Sequence, residues 1–316
     1  MKLIDCTIRD GGHLNKWHFE PKKVQESYEA ANMAKVDFFE IGYRMPKTME
    51  GLGEFGYCDD TYIMNLMRGY WGDTKLLVMI DTGKANIDDF GPAAASPFYG
   101  VRVAAYPDEL ELALKQCEKL LELGYHVFLN PMVSIRLTNG HIKMIAEWKH
   151  LKDVEAVYIA DSFGAFGPGV PTDFCTQMKA AGIPRLGFHA HNNLQLAVSN
   201  TLEAIDAGYD FVDATIYGMG RGAGNAPIEI ITSFVPPYLA VPYLDVIGKH
   251  YSLKNWGSDP AHVAGGVHGV HPYYTEFLAK HYDFAKIDDI LDKYGSKLPI
   301  SYDEKALIEV LEKAVD

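Results

Sequence analysis

The chain of 316 residues has few cysteines and no long hydrophobic run. Its four cysteines are scattered without a Cys-x-x-Cys pair, which favours reduced thiols over a disulfide framework. No stretch of about 18 apolar residues occurs, so a membrane span is not expected. The N-terminal MKLIDCTIRDGG also lacks the apolar core of a signal peptide. These absences predict a cytoplasmic protein.

The sequence also lacks a basic block. Its net charge is −13, and nucleic-acid binding needs clustered lysine and arginine, so no nucleic-acid partner is expected. Apolar residues make up 48% of the chain and charged residues 22%, which is typical of a folded protein with a large core.

Short apolar or β-branched runs recur along the first 220 residues. Eight of them are found: KLIDCTI, VDFFEIGY, KLLVMID, YGVRVAA, YHVFLNPM, VEAVYIADS, RLGFHAHN and DFVDATIYG. Helix-like stretches such as PDELELALKQCEKLLELG and NNLQLAVSNTLEAIDAG lie between most of them, and both of these end in glycine, a common helix stop. Strands that alternate with helices indicate parallel pairing through crossover helices.

Eight such units predict an α/β fold, a (β/α)8 TIM barrel. The alternative is a doubly wound open sheet, which usually carries a glycine-rich turn after its first strand. The turn here reads RDGGHLNKW, a weak match. The alternation stops near residue 240. We therefore expect a catalytic barrel over 1–240 and a helical C-terminal segment over 241–316 that packs on it.

Polar residues follow several of these strands, and a TIM barrel carries its chemistry at the carboxyl ends of the strands. They are Arg9, Asp10 and His13 after the first strand, Glu40 and Arg44 after the second, Asp161 and Ser162 after the sixth, His189 and His191 after the seventh, and the loop 218–225 after the eighth.

The pair His189 and His191 is the first candidate for a metal site. Residues two apart on a strand face the same side, so both imidazoles can bind one cation. The alternative is a pair of polar histidines hydrogen-bonded to backbone. Asp10 is the best third ligand, although an aspartate in an RDGG turn is also a common turn former.

The loop GMGRGAGN is the second candidate. It is either a flexible loop or a phosphate cradle, but no GK[ST] follows it. Its glycines also allow the backbone to pass close to a ligand site and direct Asn225 toward it, and an amide oxygen suits a hard cation.

Three motifs together resemble one known family. TIRDGGH, YIADSFGAF and GFHAHNN…DATIYGMGRGAGNAPIE resemble the pyruvate-type aldolases of the HMG-CoA lyase-like superfamily. The resemblance implies a divalent metal on Asp10, His189 and His191, and related lyases add the asparagine that is Asn225 here. It further implies that Arg9 stabilises an enolate, that His13 is the base, that Ser162 contacts the substrate carboxylate and that Tyr274 shapes the aldehyde side. The alignment of Tyr274 is loose because Tyr273 is adjacent.

The resemblance implies cleavage or formation of the C3–C4 bond of a 4-hydroxy-2-oxo acid, with pyruvate and an aldehyde as the other partners. Imidazole and carboxylate ligands favour Mn²⁺, with Mg²⁺, Co²⁺ or Zn²⁺ as alternatives. Two regions diverge from the family pattern: GYRMPKTMEGLGEFGYCDD after the second strand, which we expect to line a different aldehyde pocket, and the C-terminal segment. The second divergence puts the family's aldehyde dehydrogenase partner in doubt, and a homo-oligomer stays open.

Two other functions are open at this point. One is acyl-CoA chemistry, either a lyase or a Claisen-condensing enzyme of the same superfamily. The cysteine loop of HMG-CoA lyase is missing here, and GMGRGAGNAPIE stands in its place. The other is a non-catalytic metal-binding barrel, which would need neither Arg9 nor His13.

Overall fold

The computed structural model describes residues 1–251 and 254–315. Eight parallel strands form a closed barrel in sequence order, and β1 pairs with β8 to close it. The strands are β1 (Lys2–Asp5), β2 (Phe38–Tyr43), β3 (Lys75–Asp81), β4 (Gly100–Ala105), β5 (His126–Pro131), β6 (Ala156–Asp161), β7 (Leu186–Ala190) and β8 (Phe211–Ala214). The predicted TIM barrel is confirmed, and the doubly wound sheet is wrong because no open edge separates β1 from β8.

The helices of the barrel surround the strands. They are α1 (Thr7–Gly11), α2 (Pro21–Met33), α3 (Glu54–Tyr57), α4 (Asp60–Leu66), α5 (Leu110–Glu122), α6 (Asn139–Ala146), α7 (Val170–Ala180), α8 (Ala197–Ala207) and α9 (Ile228–Phe234). The connection from β3 to β4 has no α-helix and instead contains 3₁₀ turns at Ile87–Asp89 and Ala93–Ala95. The barrel therefore departs from the regular pattern at its third unit.

Local sequence explains these elements. In α5 the residues Leu110, Ala113, Leu114 and Cys117 are buried, the i, i+3, i+4, i+7 spacing of a one-sided helix. In β4 and β6 all six residues are buried, as expected for strands covered on both faces.

The barrel interior is layered. A mainly aromatic and aliphatic cluster contains Ile4, Phe38, Leu77, Phe128, Ala156, Tyr158 and Phe211. Residues two apart on a strand face the same side, so Glu40 follows Phe38 and Asp213 follows Phe211 inside the barrel. A charged layer therefore lies between this apolar cluster and the carboxyl ends of the strands.

The C-terminal segment consists of α10 (Val241–His250), α11 (Pro260–His268), α12 (Pro272–Leu278), α13 (Phe284–Tyr294) and α14 (Glu304–Val315). Helix α10 lies against the barrel, where the Tyr243 hydroxyl donates to Asp5 at 3.1 Å. Helices α12 to α14 share a hydrophobic cluster of their own, which includes Tyr274, Leu278 and Ile287. Within the described ranges, no helix has both the length and the apolar character to cross a membrane.

Candidate active site

A cavity opens at the carboxyl ends of the barrel strands. Six of the predicted site residues line it: Arg9, Asp10, His13, Ser162, His189 and His191. They come from α1 and the turn after it and from the ends of β6 and β7. Closure of the barrel therefore gathers side chains that lie up to 182 positions apart in the sequence into one cavity.

Asp10, His189 and His191 form a compact cluster at the base of this cavity. One possible ligand atom from each lies within 4.8 Å of the others, and all three residues are buried. His189 Nε2 is 3.3 Å from Asp10 Oδ2, and His191 Nε2 is 3.9 Å from the same oxygen. A carboxylate and two imidazoles that converge in this way form a donor set that suits a divalent transition metal.

Asp213 fixes the orientation of the His189 ring. Its Nδ1 lies 3.0 Å from Asp213 Oδ2, so Nε2 points toward Asp10. His189 Nε2 is buried without a hydrogen-bond partner. A histidine that binds a metal through one ring nitrogen usually donates a hydrogen bond from its other ring nitrogen, often to a carboxylate. The pair Asp213–His189 therefore fits a metal at Nε2.

The protonation of the cluster also fits a cation. Burial lowers the pKa of His191 well below its ordinary value, which keeps a nitrogen lone pair available. Burial alone would raise the pKa of Asp10, but Arg9 and His191 hold that pKa well below its usual range. Burial would lower the pKa of His189, yet its close contacts with the carboxylates of Asp10 and Asp213 raise it, so a metal at Nε2 would displace a proton from this ring.

A closed ring of buried polar side chains includes Asp10 of this cluster and closes through His189, which lies 3.3 Å from Asp10 and 3.0 Å from Asp213. Arg9 Nε is 2.7 Å from Glu40 Oε2, and Glu40 Oε1 is 2.8 Å from Arg102 Nε. Arg102 Nη2 then donates to Asp213 Oδ1 at 3.1 Å, and Arg9 Nη1 lies 3.4 Å from Asp10 Oδ2. Three carboxylates face two guanidinium groups, so the ring carries one excess negative charge when His189 is neutral. A divalent cation would offset this excess, because buried charges need partners.

Asn225 supports Asp10 from the loop after β8. Its Nδ2 donates to Asp10 Oδ2 at 2.9 Å and to Met219 O at 3.1 Å, and its Oδ1 is buried without a hydrogen-bond partner. A Cβ at Gly220 would lie 2.0 Å from Asn225 Nδ2 and 3.4 Å from Asp10 Cγ. Glycine at 220 therefore lets the loop pass this close to the cluster.

His13 lies at the mouth of the cavity. Its ring meets those of Trp17 and Tyr43 edge-on, with centroids 4.9 Å and 6.0 Å away. His13 keeps an exposed face at this mouth, and the protein atoms packed around its ring lower its pKa to about 4. Arg221 and Arg9 contribute to this lowering, and Asp10 opposes it. His13 is therefore neutral at pH 7. His18, the next histidine along the chain, is an alternative base, but it is not among the cavity-lining residues, and its ring faces Gly51 O at 3.3 Å.

Ser162 lies on the β6 side of the cavity. Its Oγ accepts a hydrogen bond from Val133 N at 2.9 Å. A hydroxyl that accepts from backbone keeps its own hydrogen for donation. Ser162 can therefore donate to an anionic oxygen in the cavity.

The structure does not bring Tyr274 into the cavity. This residue is fully buried in the C-terminal cluster, and its hydroxyl donates toward Pro299 O and Ser301 O at 3.2 and 2.9 Å and accepts from Asp303 N at 3.0 Å. These contacts fix the hydroxyl within the segment, so the expectation of an aldehyde-side role for Tyr274 is corrected. Its neighbour Tyr273 is 38% exposed and lines an adjoining groove together with His13.

Several cavity-wall residues were not expected from the sequence. Of the divergent stretch after β2, Tyr43 reaches the cavity, whereas Arg44 turns toward Cys58 and Asp60. The wall opposite the candidate metal cluster is instead formed by the exits of β3 and β4, with Thr82, Lys84, Tyr106 and Glu109. Thr82 and Lys84 belong to the connection between β3 and β4, which has no α-helix.

Sequence reasoning also missed Arg102, Asp213, Arg221 and His271. The available signal for Arg102 and Asp213 was a charged residue within an otherwise apolar strand. Glu40 was noted as a strand-end residue without a role. No sequence pattern shows that the loop residue Arg221 meets His271, because their contact depends on how the C-terminal segment packs.

A closed parallel barrel with carboxylate, imidazole and guanidinium groups gathered at the strands' carboxyl ends defines a barrel enzyme with a candidate metal centre. The chain belongs to the HMGL-like family, whose sequence profile matches residues 1–235.

Two curated relatives and one crystal structure are similar to the chain. An oxaloacetate decarboxylase of Mycobacterium tuberculosis is 29% identical and covers 87% of this chain and 84% of its own. A 4-hydroxy-2-oxovalerate aldolase of Carboxydothermus hydrogenoformans is 32% identical, with 74% and 70% covered. The crystal structure of the N-terminal domain of a candidate aldolase from Bacteroides vulgatus has a TM-score of 0.79 at 26% identity, with 89% and 97% covered. The predictions of this family and of a carbon–carbon lyase are confirmed.

Proposed function

We propose that this protein is a divalent-metal-dependent aldolase that cleaves or forms the C3–C4 bond of a 4-hydroxy-2-oxo acid, with pyruvate and an aldehyde as the other reactants. The observation that carries this proposal is the convergence of Asp10, His189 and His191 beside the buried Arg9. The names of the aldolase relatives support it.

The residues divide the binding of the oxo acid between them. Asp10, His189 and His191 would hold the metal, with Asn225 beside them, and when bound the metal would supply Lewis acidity toward the 2-oxo oxygen. Ser162 donates its hydroxyl hydrogen to the substrate carboxylate. Arg9 is fixed by Glu40 and Asp10, so its charge is already in place where negative charge develops.

His13 handles the proton. In the cleavage direction its neutral ring accepts the proton of the 4-hydroxyl, the C3–C4 bond breaks, and the electron pair of that bond remains on the pyruvate fragment as an enolate. The aldehyde leaves, and protonation of C3 completes pyruvate. His13 suits this step because it lines the cavity and is neutral at pH 7.

Oxaloacetate decarboxylation is a second candidate, because one relative carries that name. Loss of CO₂ breaks the bond between C3 and C4 of oxaloacetate and leaves the same enolate. The step has no hydroxyl proton to remove, so it uses Arg9 and the metal ligands but not His13 as base.

We further propose that Mn²⁺ is the metal, with Mg²⁺, Co²⁺ or Zn²⁺ as alternatives. Residues 1–240 would form the catalytic barrel, and 241–316 would form a segment packed on it. Small-molecule oxo acids and aldehydes are the proposed partners, and the acidic net charge of −13 supports no nucleic-acid partner.

The test avoids the unknown aldehyde. Metal-loaded protein should exchange the methyl protons of pyruvate for deuterium in D₂O, and proton NMR monitors the loss of the methyl signal. Arg9→Ala should abolish the exchange while metal stays bound, since Arg9 is not a proposed ligand, and a chelator should also abolish it. Cleavage of a panel of 4-hydroxy-2-oxo acids, with oxaloacetate included, then assigns the reaction.

The other functions give different results. An acyl-CoA lyase or condensing enzyme would act on a thioester and leave pyruvate unexchanged, and a non-catalytic barrel would do neither. Absence of both exchange and cleavage with full metal occupancy, across the four metals, would reject the aldolase.

A further inference from the structure

Arg221 reaches the cavity from the loop after β8. Its Nη2 donates to Ser162 O at 2.8 Å, and its Nη1 is 3.1 Å from His271 Nε2. Its backbone N–H points at Asp10 Oδ1 at 3.4 Å. The guanidinium therefore lies over the cavity between the end of β6 and the C-terminal segment, and both Arg221 and His271 line the cavity.

This guanidinium has no acidic partner in the described part of the chain. The arginine ion pairs found there belong to Arg9, Arg44 and Arg102. The guanidinium of Arg221 instead contacts the backbone carbonyl of Ser162 and the imidazole of His271. Burial and the nearby guanidinium lower the pKa of His271 to about 2, so that imidazole is neutral.

The contact with His271 does not give the Arg221 guanidinium a hydrogen-bond acceptor. His271 precedes α12, and its Nδ1 accepts the backbone N–H of Tyr273 at 3.2 Å. A neutral imidazole has one acceptor nitrogen, so Nε2 carries the hydrogen whenever Nδ1 caps the helix. Arg221 Nη1 then faces an N–H and lacks an acceptor. A partly buried donor without an acceptor is unfavourable, and an anion in the cavity would satisfy it.

A second donor lies beside this one. The guanidinium is bonded to the carbonyl of Ser162, whose hydroxyl keeps a hydrogen to donate because Oγ accepts from Val133 N. Lys84 also lines the cavity, on the opposite wall, but its ammonium group already pairs with Asp81 at 2.9 Å. Two donors and one uncompensated positive charge on the β6 side of the cavity match a planar carboxylate.

We propose that Arg221, with Ser162, binds the 1-carboxylate of the 2-oxo acid. The inference rests on the proposed function, because it takes the oxo acid as the ligand of the cavity. Arg221 is then a substrate-binding residue that selects acids over uncharged carbonyl compounds. It also makes the affinity for the oxo acid depend on the C-terminal segment, through His271.

The experiment uses metal-loaded full-length protein and oxalate, a planar dicarboxylate that resembles the enolate of pyruvate. Calorimetric titration gives the oxalate dissociation constant, and pyruvate exchange in D₂O gives KM and kcat. Arg221→Met should weaken oxalate binding and raise KM by roughly 10- to 100-fold, the scale of a charged hydrogen bond, with kcat within about threefold. Arg221→Lys should recover part of the loss, because it restores charge without the planar fork.

Arg136→Met is the matched control. Arg136 also donates to a carbonyl of the C-terminal segment, Gly269 O at 3.3 Å, but it is not among the residues that line the cavity. It should leave both constants unchanged. An equal loss in Arg136→Met would show that Arg221 merely holds the segment in place and would overturn the proposal.

The remaining outcomes separate this proposal from the proposed function. If Arg221→Met keeps its metal and binds oxalate as the wild type does, or if the wild type does not bind oxalate, the carboxylate subsite is wrong. If the wild type binds oxalate in an Arg221-dependent way but neither exchanges pyruvate nor cleaves any oxo acid, the subsite stands and the aldolase function fails.

Discussion

At the scale of single residues, the two nitrogens of His189 have different tasks. Nδ1 is held by Asp213 at 3.0 Å, and Nε2 is left unpartnered beside Asp10. His191 has its pKa lowered by burial and is neutral at pH 7. His191 therefore presents a lone pair without first losing a proton, whereas the contacts of His189 with Asp10 and Asp213 raise its pKa, so a metal would displace a proton there.

The first prediction concerns this pair. We expect one divalent metal per chain in the wild type and none in the His189→Ala/His191→Ala double variant, because Asp10 and Asn225 alone cannot replace two imidazoles. Elemental analysis after dialysis against Mn²⁺ measures the stoichiometry, with circular dichroism to confirm matched folding. A folded double variant with unchanged stoichiometry would reject the site.

The second prediction concerns His13. His13→Ala should lower aldol cleavage by about 10² to 10⁴, the usual contribution of a general base, and should lower oxaloacetate decarboxylation far less, because that step removes no hydroxyl proton. The pKa of His13 is about 4, so the ring is in its basic form above that pH, and its contribution should be lost as the pH falls through about 4.

His18→Ala is the control, since His18 lies outside the cavity-lining set. The pH profile of kcat/KM for the wild type and both variants tests the assignment. A loss below threefold in His13→Ala, or a larger loss in His18→Ala, would move the role away from His13.

At the scale of elements, the loop after β8 supplies two side chains to the site. It supplies Asn225 to Asp10 and Arg221 to Ser162, and it contains Gly220 where the backbone passes closest to the cluster. Gly224 in the same loop has φ of 80°, a conformation that glycine adopts without strain. The glycine-rich sequence thus serves close approach and turning.

The third prediction tests that close approach. Gly220→Ala adds a Cβ 2.0 Å from Asn225 Nδ2, so the Asn225 amide has to shift, which weakens its hydrogen bond to Asp10. We expect Mn²⁺ affinity to fall about 10- to 100-fold, the usual effect of losing a group that orients a ligand. Gly91→Ala, where an added Cβ meets nothing within 4 Å, is the control. Equal Mn²⁺ affinity in both variants, measured by calorimetry, would contradict this account of the loop.

At the scale of the whole molecule, the buried ring of charges links five strands or their exits. Arg102 is fully buried in β4 and lies between Glu40 of β2 and Asp213 of β8. Burial would lower the pKa of Arg102, but Asp213 and Glu40 raise it, so the side chain stays charged. Because a buried ion pair is costly to break, the ring commits the interior to one arrangement.

The fourth prediction concerns the stability of this ring. Arg102→Met leaves Glu40 and Asp213 buried without their shared cation, so the free energy of unfolding should fall by roughly 3–5 kcal/mol. Urea denaturation of metal-free protein measures it. Arg68→Met removes an exposed arginine and should change the free energy by less than about 0.5 kcal/mol. A loss below about 1 kcal/mol in Arg102→Met would show that the ring contributes little to folding.

The sequence by itself determined the eight strands, their parallel order and the shared face of His189 and His191. These features depend on local periodicity, which the chain carries within each short segment. The motifs also located Arg9, Asp10, His13 and Ser162, because a parallel barrel collects the residues that follow its strands.

The tertiary structure alone decided how these residues act together. The ring through Glu40, Arg102 and Asp213 exists because barrel closure brings side chains of different strands to one level, which no single segment encodes. The contact between Arg221 and His271, and the removal of Tyr274 from the cavity, depend on where the C-terminal helices pack. Packing of that kind is set by long-range burial, and a local pattern does not report which of two adjacent tyrosines faces inward.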